Sequence, residues 1–165
     1  MSENRLFLSQ TLRAQASVGY KNPVISIGVV VEDMNKSLDF YTRVMGMKKT
    51  SGFDLNADFS QRSGLTRGIP FTVVVLKLED SPQATEWKLM SFGKKGKPNR
   101  SKHIEDDLGM QYITLYVNAL SPFLERFKAN KVNVFSETPT PIGENKYLIL
   151  LQDPDGIFIE LIGPL

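Results

Sequence analysis

There is no cysteine anywhere in the sequence. That absence excludes disulfide bridges, thiolate metal centres and a cysteine nucleophile, and it fits a cytosolic chain without requiring one. Histidine occurs once, at His103, so the chain has few imidazoles to offer an ion. No apolar run approaches the roughly 20 residues a membrane-spanning helix needs. Charge of one sign is lacking too. A net +2 is too small to argue for nucleic acid or an anionic membrane as partner. The opening stretch MSENRLFLSQTLRAQASVGYKNP lacks a convincing signal-peptide pattern, because Gln10, Arg13 and Gln15 break its apolar part. A cytoplasmic location is therefore expected, with a removed signal peptide left open.

What is present is an ordinary globular composition, 41% hydrophobic and 23% charged over 165 residues. That length suits one domain, or two small modules sharing a core. From Val24 to Val31 the chain is apolar and β-branched, which predicts a strand closed by Glu32-Asp33. Met34, Leu38, Tyr41, Val44 and Met45 then recur at helical spacing, and Gly46 is a natural stop. The stretch GMQYITLYVNALSPFLERFKANKVNVF repeats the pattern. An offset of 86 residues lays Ile27 on Ile113, Val29 on Leu115, Val31 on Val117, Met34 on Leu120, Leu38 on Leu124 and Tyr41 on Phe127. Six core positions in register at one offset argue for an internal repeat.

Further strands follow each copy. In the first half GMKKTSGF predicts a short strand, IPFTVVVLKLED a long one and TEWKLMSF another. In the second half KVNVF is short, NKYLILLQ follows and GIFIELIG closes. The links after each helix are turn-length, so a doubly wound parallel sheet is excluded. The expected fold is α+β: two βαβββ modules forming curved, mostly antiparallel sheets around an open cleft. The divisions are an arm at 1–23, a first module at 24–93, a linker at 94–108 and a second module at 109–165. The arm has room for a helix that packs on the body or on a partner, and Leu6, Phe7, Leu8 and Leu12 suit an interface.

Two polar stretches have two readings each. The linker GKKGKPNRSKHIEDDLG is a solvated loop, or its basic part sits at the mouth of the cleft and attracts an anion. The stretch DLNADFSQRSGLTRG is a surface loop, or Arg62, Ser63, Thr66 and Arg67 touch a ligand there. His103 reads as a solvated loop residue.

The stretches VVVEDMNKSLDFYTRVMGM and DPDGIFIEL resemble the opening and closing signatures of the vicinal oxygen chelate superfamily. This superfamily holds glyoxalase I, extradiol dioxygenases, methylmalonyl-CoA epimerase and the bleomycin and fosfomycin resistance proteins. The resemblance covers residues 24 to 164. It implies paired βαβββ modules curled around a cleft, and it specifies reaction weakly. In metal-bearing members four cleft-facing positions, on the first and last strands of each module, hold the ion with His, Glu or Gln. Strand parity carries these onto Ser26, Lys88, Tyr112 and Glu160. Only Glu160 is a good ligand, since zinc and iron sites want about three imidazole or carboxylate donors. Gln111 replaces Tyr112 if the register shifts by one. The expectation is therefore no metal and no other cofactor, although a divalent metal is the family default.

An apolar strand interrupted by Glu160 needs a partner for that carboxylate. The candidates are an ion pair with Lys88 across the cleft, or a tyrosine hydroxyl or water, with Lys88 reaching solvent. The expected ligand-binding set is Ser26, Lys88, Met90, Tyr112, Thr114, Tyr116 and Glu160, with Glu160 the candidate catalytic group. Parity turns Trp87 to the opposite face. The leading expectation is a protein that binds a small organic molecule in its cleft without metal. The alternative is a lyase, isomerase or dioxygenase of the same superfamily, metal-dependent or using Glu160 as general base with Lys88 or Tyr112 stabilising an enolate. A structural or regulatory dimer with no dedicated ligand is the third. Bleomycin itself is a poor fit, because it is cationic and this chain carries net +2. The resemblance also implies a homodimer.

Overall fold

The structure, a computed structural model, describes residues 19, 21, 24–94, 96–97, 101–136 and 139–165. Nearly all of the N-terminal arm, with the helix and interface residues expected there, and residues 95 and 98–100 of the basic linker lie outside the described residues.

Each half builds one four-stranded sheet. In the first, β1 (Ser26–Val30) leads into α1 (Met34–Asp39). The chain then returns through β2 (Lys48–Leu55), α2 (Ala57–Arg62), β3 (Phe71–Lys77) and β4 (Glu86–Ser91). The second half runs β5 (Tyr112–Tyr116), α3 (Ser121–Ala129), β6 (Thr140–Gly143), β7 (Lys146–Gln152) and β8 (Phe158–Gly163). The sheet orders are β1-β4-β3-β2 and β5-β8-β7-β6. In both, the first strand pairs parallel with the last and the other pairings are antiparallel.

Local chemistry explains the helices. Asp33 caps α1, accepting hydrogen bonds from the Asn35 and Lys36 amides at 2.9 and 3.1 Å. The helix continues as a π-helical stretch, Phe40–Val44, and the chain turns at Gly46 with φ +81°. In α3, Pro122 sits in the first turn and Arg126 and Lys128 in the last, where each favours the helix.

One hydrophobic core spans both halves. It joins Val29, Tyr41 and Leu89 to Leu120, Ile149 and Leu161. Each such side chain contributes about 1.5–3 kcal/mol by leaving water. Trp87 belongs to this core, on the helix-facing side of its sheet. A smaller cluster of Phe71, Val73 and Val75, with Met90 and Phe92, covers the opposite face of the first sheet.

Three local expectations are corrected. Lys48–Leu55 is the longest strand of its sheet, eight residues, where a short one was expected. The polar stretch after it holds α2, capped by Asn56, which accepts from the Phe59 amide at 2.8 Å. Arg62 pairs with Asp58 on the exposed side of that helix, and Thr66 closes a local turn on Ile69. KVNVF makes only an isolated bridge, Val134 to Leu151, and the outer strand is instead β6.

β1 and β5 are the outer strands of their sheets, and they face each other across a seam. At one end of the seam Ile25 and Ile27 line a pocket together with Ile113, Thr114 and Leu115. At the other end Ile27, Gly28 and Val29 line a smaller pocket with Met110, Gln111 and Tyr112. The two strands thus run in opposite senses, with Ile27 and Ile113, equivalent in the repeat, at the middle.

Candidate functional site

Register decides which side chains meet. The β1–β4 pairing sets Ser26 opposite Glu86, Gly28 opposite Lys88 and Val30 opposite Met90. The β5–β8 pairing sets Tyr112 opposite Phe158, Thr114 opposite Glu160 and Tyr116 opposite Ile162. Lys88 and Glu160 therefore hold equivalent places in the two sheets, on the face turned away from the helices.

The polar groups of the first sheet form one cluster around Glu86. Ser26 Oγ donates to Glu86 Oε2 at 2.7 Å. Lys88 Nζ lies 3.1 Å from the same oxygen, and Lys77 Nζ lies 3.9 Å from Glu86 Oε1. The Ser26 hydroxyl, and after it Lys88, hold the Glu86 carboxyl below the usual range. Glu86 escaped the sequence reading, although parity alone puts it on the face of Lys88, two residues away.

In the second sheet Thr114 Oγ1 donates to Glu160 Oε2 at 2.5 Å. Of the candidate partners for Glu160, the ion pair with Lys88 does not form, and the hydroxyl that meets the carboxylate is a threonine's and not a tyrosine's. Lys88 is taken by its own strand neighbour, and Glu160 by the strand beside it. Tyr112 and Tyr116 present exposed rings on this wall, and the Lys146 ammonium lies 5.9 Å from the centre of the Tyr116 ring. Met90 sits on the first wall and packs against the Phe71 cluster. Gln111 is tied to the linker, its amide donating to the Asp107 carbonyl at 2.6 Å.

Residues 101–107 of the linker are tied down by local hydrogen bonds, with all but Ser101 exposed. Ser101 is buried and hydrogen-bonds Asp107. Asp106 accepts from the Lys102 and His103 amides at 2.7 and 3.0 Å, which holds its carboxyl low. Gln152 reaches the Ser101 carbonyl at 2.9 Å, which anchors the linker to the second sheet. His103 is exposed in this turn, in keeping with a solvated residue. Among the described residues no group of three or more His, Asp or Glu is placed to hold a metal ion. No helix among them is long and apolar enough to cross a membrane.

Two sheets that each close parallel on their first strand, with one helical layer and an open opposite face, define the paired βαβββ fold. The chain belongs to the Glyoxalase/Bleomycin resistance protein/Dioxygenase superfamily, which it matches over residues 24–161. A protein of Vibrio parahaemolyticus described as a probable lactoylglutathione lyase is 28% identical over 135 residues, covering 80% of this chain and 83% of that one. A glyoxalase family protein of Bacillus cereus superposes with a TM-score of 0.73 at 17% identity, over 91% of this chain and 99% of that one. The trypanothione-dependent glyoxalase I of Leishmania major gives 0.62 at 22% identity, with 86% of each chain covered. At these identities the two structures speak to fold alone.

Proposed function

We propose that the chain binds a small organic molecule in its cleft without a metal ion. The observation that carries this reading is the commitment of Lys88. At a position where metal-bearing relatives place a ligand, this chain has an ammonium, held 3.1 Å from Glu86. A cation there repels a divalent ion. Ser26, at a second position, already donates its proton to Glu86. Tyr112 is a weak neutral donor, so Glu160 stands as the one good ligand of the four. These donors do not fit a zinc, nickel, manganese or iron centre.

The walls suit an organic ligand instead. Tyr112 and Tyr116 offer aromatic surface, Met90 an adaptable apolar one, and Glu86, Lys88, Thr114 and Glu160 polar anchors. With exposed rings on the open face, association into a homodimer belongs to the same reading, and it covers apolar surface that a lone chain leaves wet.

Titration calorimetry with zinc, nickel, manganese and iron(II) tests the first half. No stoichiometric uptake is expected, and tight one-to-one binding overturns it. Thermal-shift screening against small aromatic and anionic compounds tests the second half, with Tyr116→Ala abolishing any hit. A second reading, lyase chemistry, draws on the name of the Vibrio relative. It has Glu160 as the base and predicts turnover of the methylglyoxal–glutathione adduct, lost in Glu160→Gln.

A further inference from the structure

We propose that the seam between the two sheets is a second binding site, bordering the cleft, and that it takes a compact hydrophobic carboxylate. The pocket measures ≈ 270 Å³. That lies just under the usual range for ligand sites, roughly 300 to 1,000 Å³, and limits the guest to a compact one. Its walls are Ile27, Met47, Trp87, Ile113 and Leu115. Apart from Met47 these come from β1, β4 and β5 at positions of helix-facing parity, the reverse of Lys88 and Glu160. A pocket with such walls tends to stay dry and accept an apolar guest.

The rim argues for an occupant. Ile25 and Leu78 stand at the pocket 62% and 52% exposed. Two large aliphatic side chains in water beside an apolar hollow gain by closing on a hydrophobic body.

Charge selects the head group. Among the described residues Lys77 is the one charged residue lining the pocket, beside the hydroxyl of Thr85, while the Thr114 hydroxyl is committed to Glu160 on the cleft side. Among the described residues no carboxylate lines it, although Glu86 lies 3.9 Å from the Lys77 ammonium, so the pocket favours an anionic ligand over a cationic one. The existing ties of the Lys77 ammonium leave it available. Its bond to the Ser81 carbonyl spans 3.1 Å, and its ion pair with Glu86 is long, at 3.9 Å. A carboxylate at the mouth competes well against a contact that loose.

The protein carries its own reporter. Trp87 is the single tryptophan and it lines this pocket. The experiment titrates the full chain with sodium octanoate and follows tryptophan emission, with n-octanol as the uncharged control. A saturable one-to-one change is expected. Lys77→Met should weaken octanoate about tenfold while leaving octanol within about twofold. Leu78→Glu, a change at an exposed rim position, should weaken octanoate similarly by repulsion, and it serves if Lys77→Met does not fold. Tyr116→Ala, which alters the cleft wall, should leave the titration unchanged. Absence of a saturable change overturns the proposal. So does octanoate binding indifferent to both seam variants, or binding that Tyr116→Ala removes.

Discussion

Tyr41 donates its hydroxyl proton to Asp153 Oδ2 at 2.7 Å, tying the helix of the first half to the turn before the last strand. Asp153 Oδ1 also accepts from the Asp155 and Ile157 amides at 2.9 and 2.8 Å. Beside it Asp155 accepts from the Glu32 amide and the Ser37 hydroxyl, both at 2.9 Å. The SLDFY and DPDG motifs are thus halves of one clamp. Their role is to fix the two modules together, so the signature reports on fold more than on reaction. Tyr41→Phe leaves the Asp153 carboxylate buried with one donor fewer. It should lose about 1–3 kcal/mol of stability, read as a lower urea midpoint at unchanged m-value.

The same clamp predicts a pH dependence. Burial pushes the Asp153 carboxyl above its ordinary value of 3.8, against the pull of its hydrogen bonds. A raised folded pKa means that the proton binds the folded state more tightly. The resulting stabilisation is complete below the unfolded pKa and is lost as pH rises through the folded one. Asp153→Asn removes this titration. The stability of the parent chain relative to the variant should therefore be greatest at acid pH and shrink upward from about pH 4. Urea unfolding between pH 3 and 7 checks it, and a difference that grows with pH refutes it.

The repeat made most of this fold legible. Two apolar strands and two helical stripes fell into register at one offset, and the structure keeps that offset in Ser26–Val30 and Tyr112–Tyr116. Elements without an apolar signature stayed hidden. The one buried residue of α2 is a serine, Ser60, so no stripe announces the helix. β6 is exposed at all four positions and contains Pro141, which an outer strand tolerates. At the site, parity placed faces correctly but said nothing of distance across the cleft. Lys88 took Glu86, two residues back on its own face, in preference to a carboxylate on another sheet.

Two glycines separate backbone crowding from side-chain crowding. A Cβ on Gly163 meets the Val117 carbonyl oxygen and lies 2.8 Å from Val117 Cγ2. The nearest obstacle is backbone in the adjoining strand, so relief requires moving β8 away from the end of β5. A Cβ on Gly28 meets only the end of Met90, at 2.9 Å from Cε. A flexible thioether moves aside at little cost. Gly163→Ala should lose about 2–4 kcal/mol and Gly28→Ala less than about 1 kcal/mol, measured by chemical denaturation.

The Glu86 cluster gives the most direct test of the cleft's electrostatics. Both partners favour the ionised carboxylate, the Ser26 hydroxyl by hydrogen bonding and Lys88 by hydrogen bond and charge. A depressed folded pKa means stability that is present above the unfolded value and lost as pH falls through the folded one. The side chains of Glu86 and Lys88 are about a third exposed, so solvent screening keeps the stability effect below about 1 kcal/mol. The pKa itself is the sharper observable. A carbon-detected NMR titration should show the Glu86 carboxyl moving up toward its ordinary value in Ser26→Ala, and by a smaller step in Lys88→Met. If Lys88→Met leaves Glu86 unmoved, the ammonium is not held at that carboxylate. The site would then have a free cation facing the cleft, and charge alone would bar a metal ion from that corner.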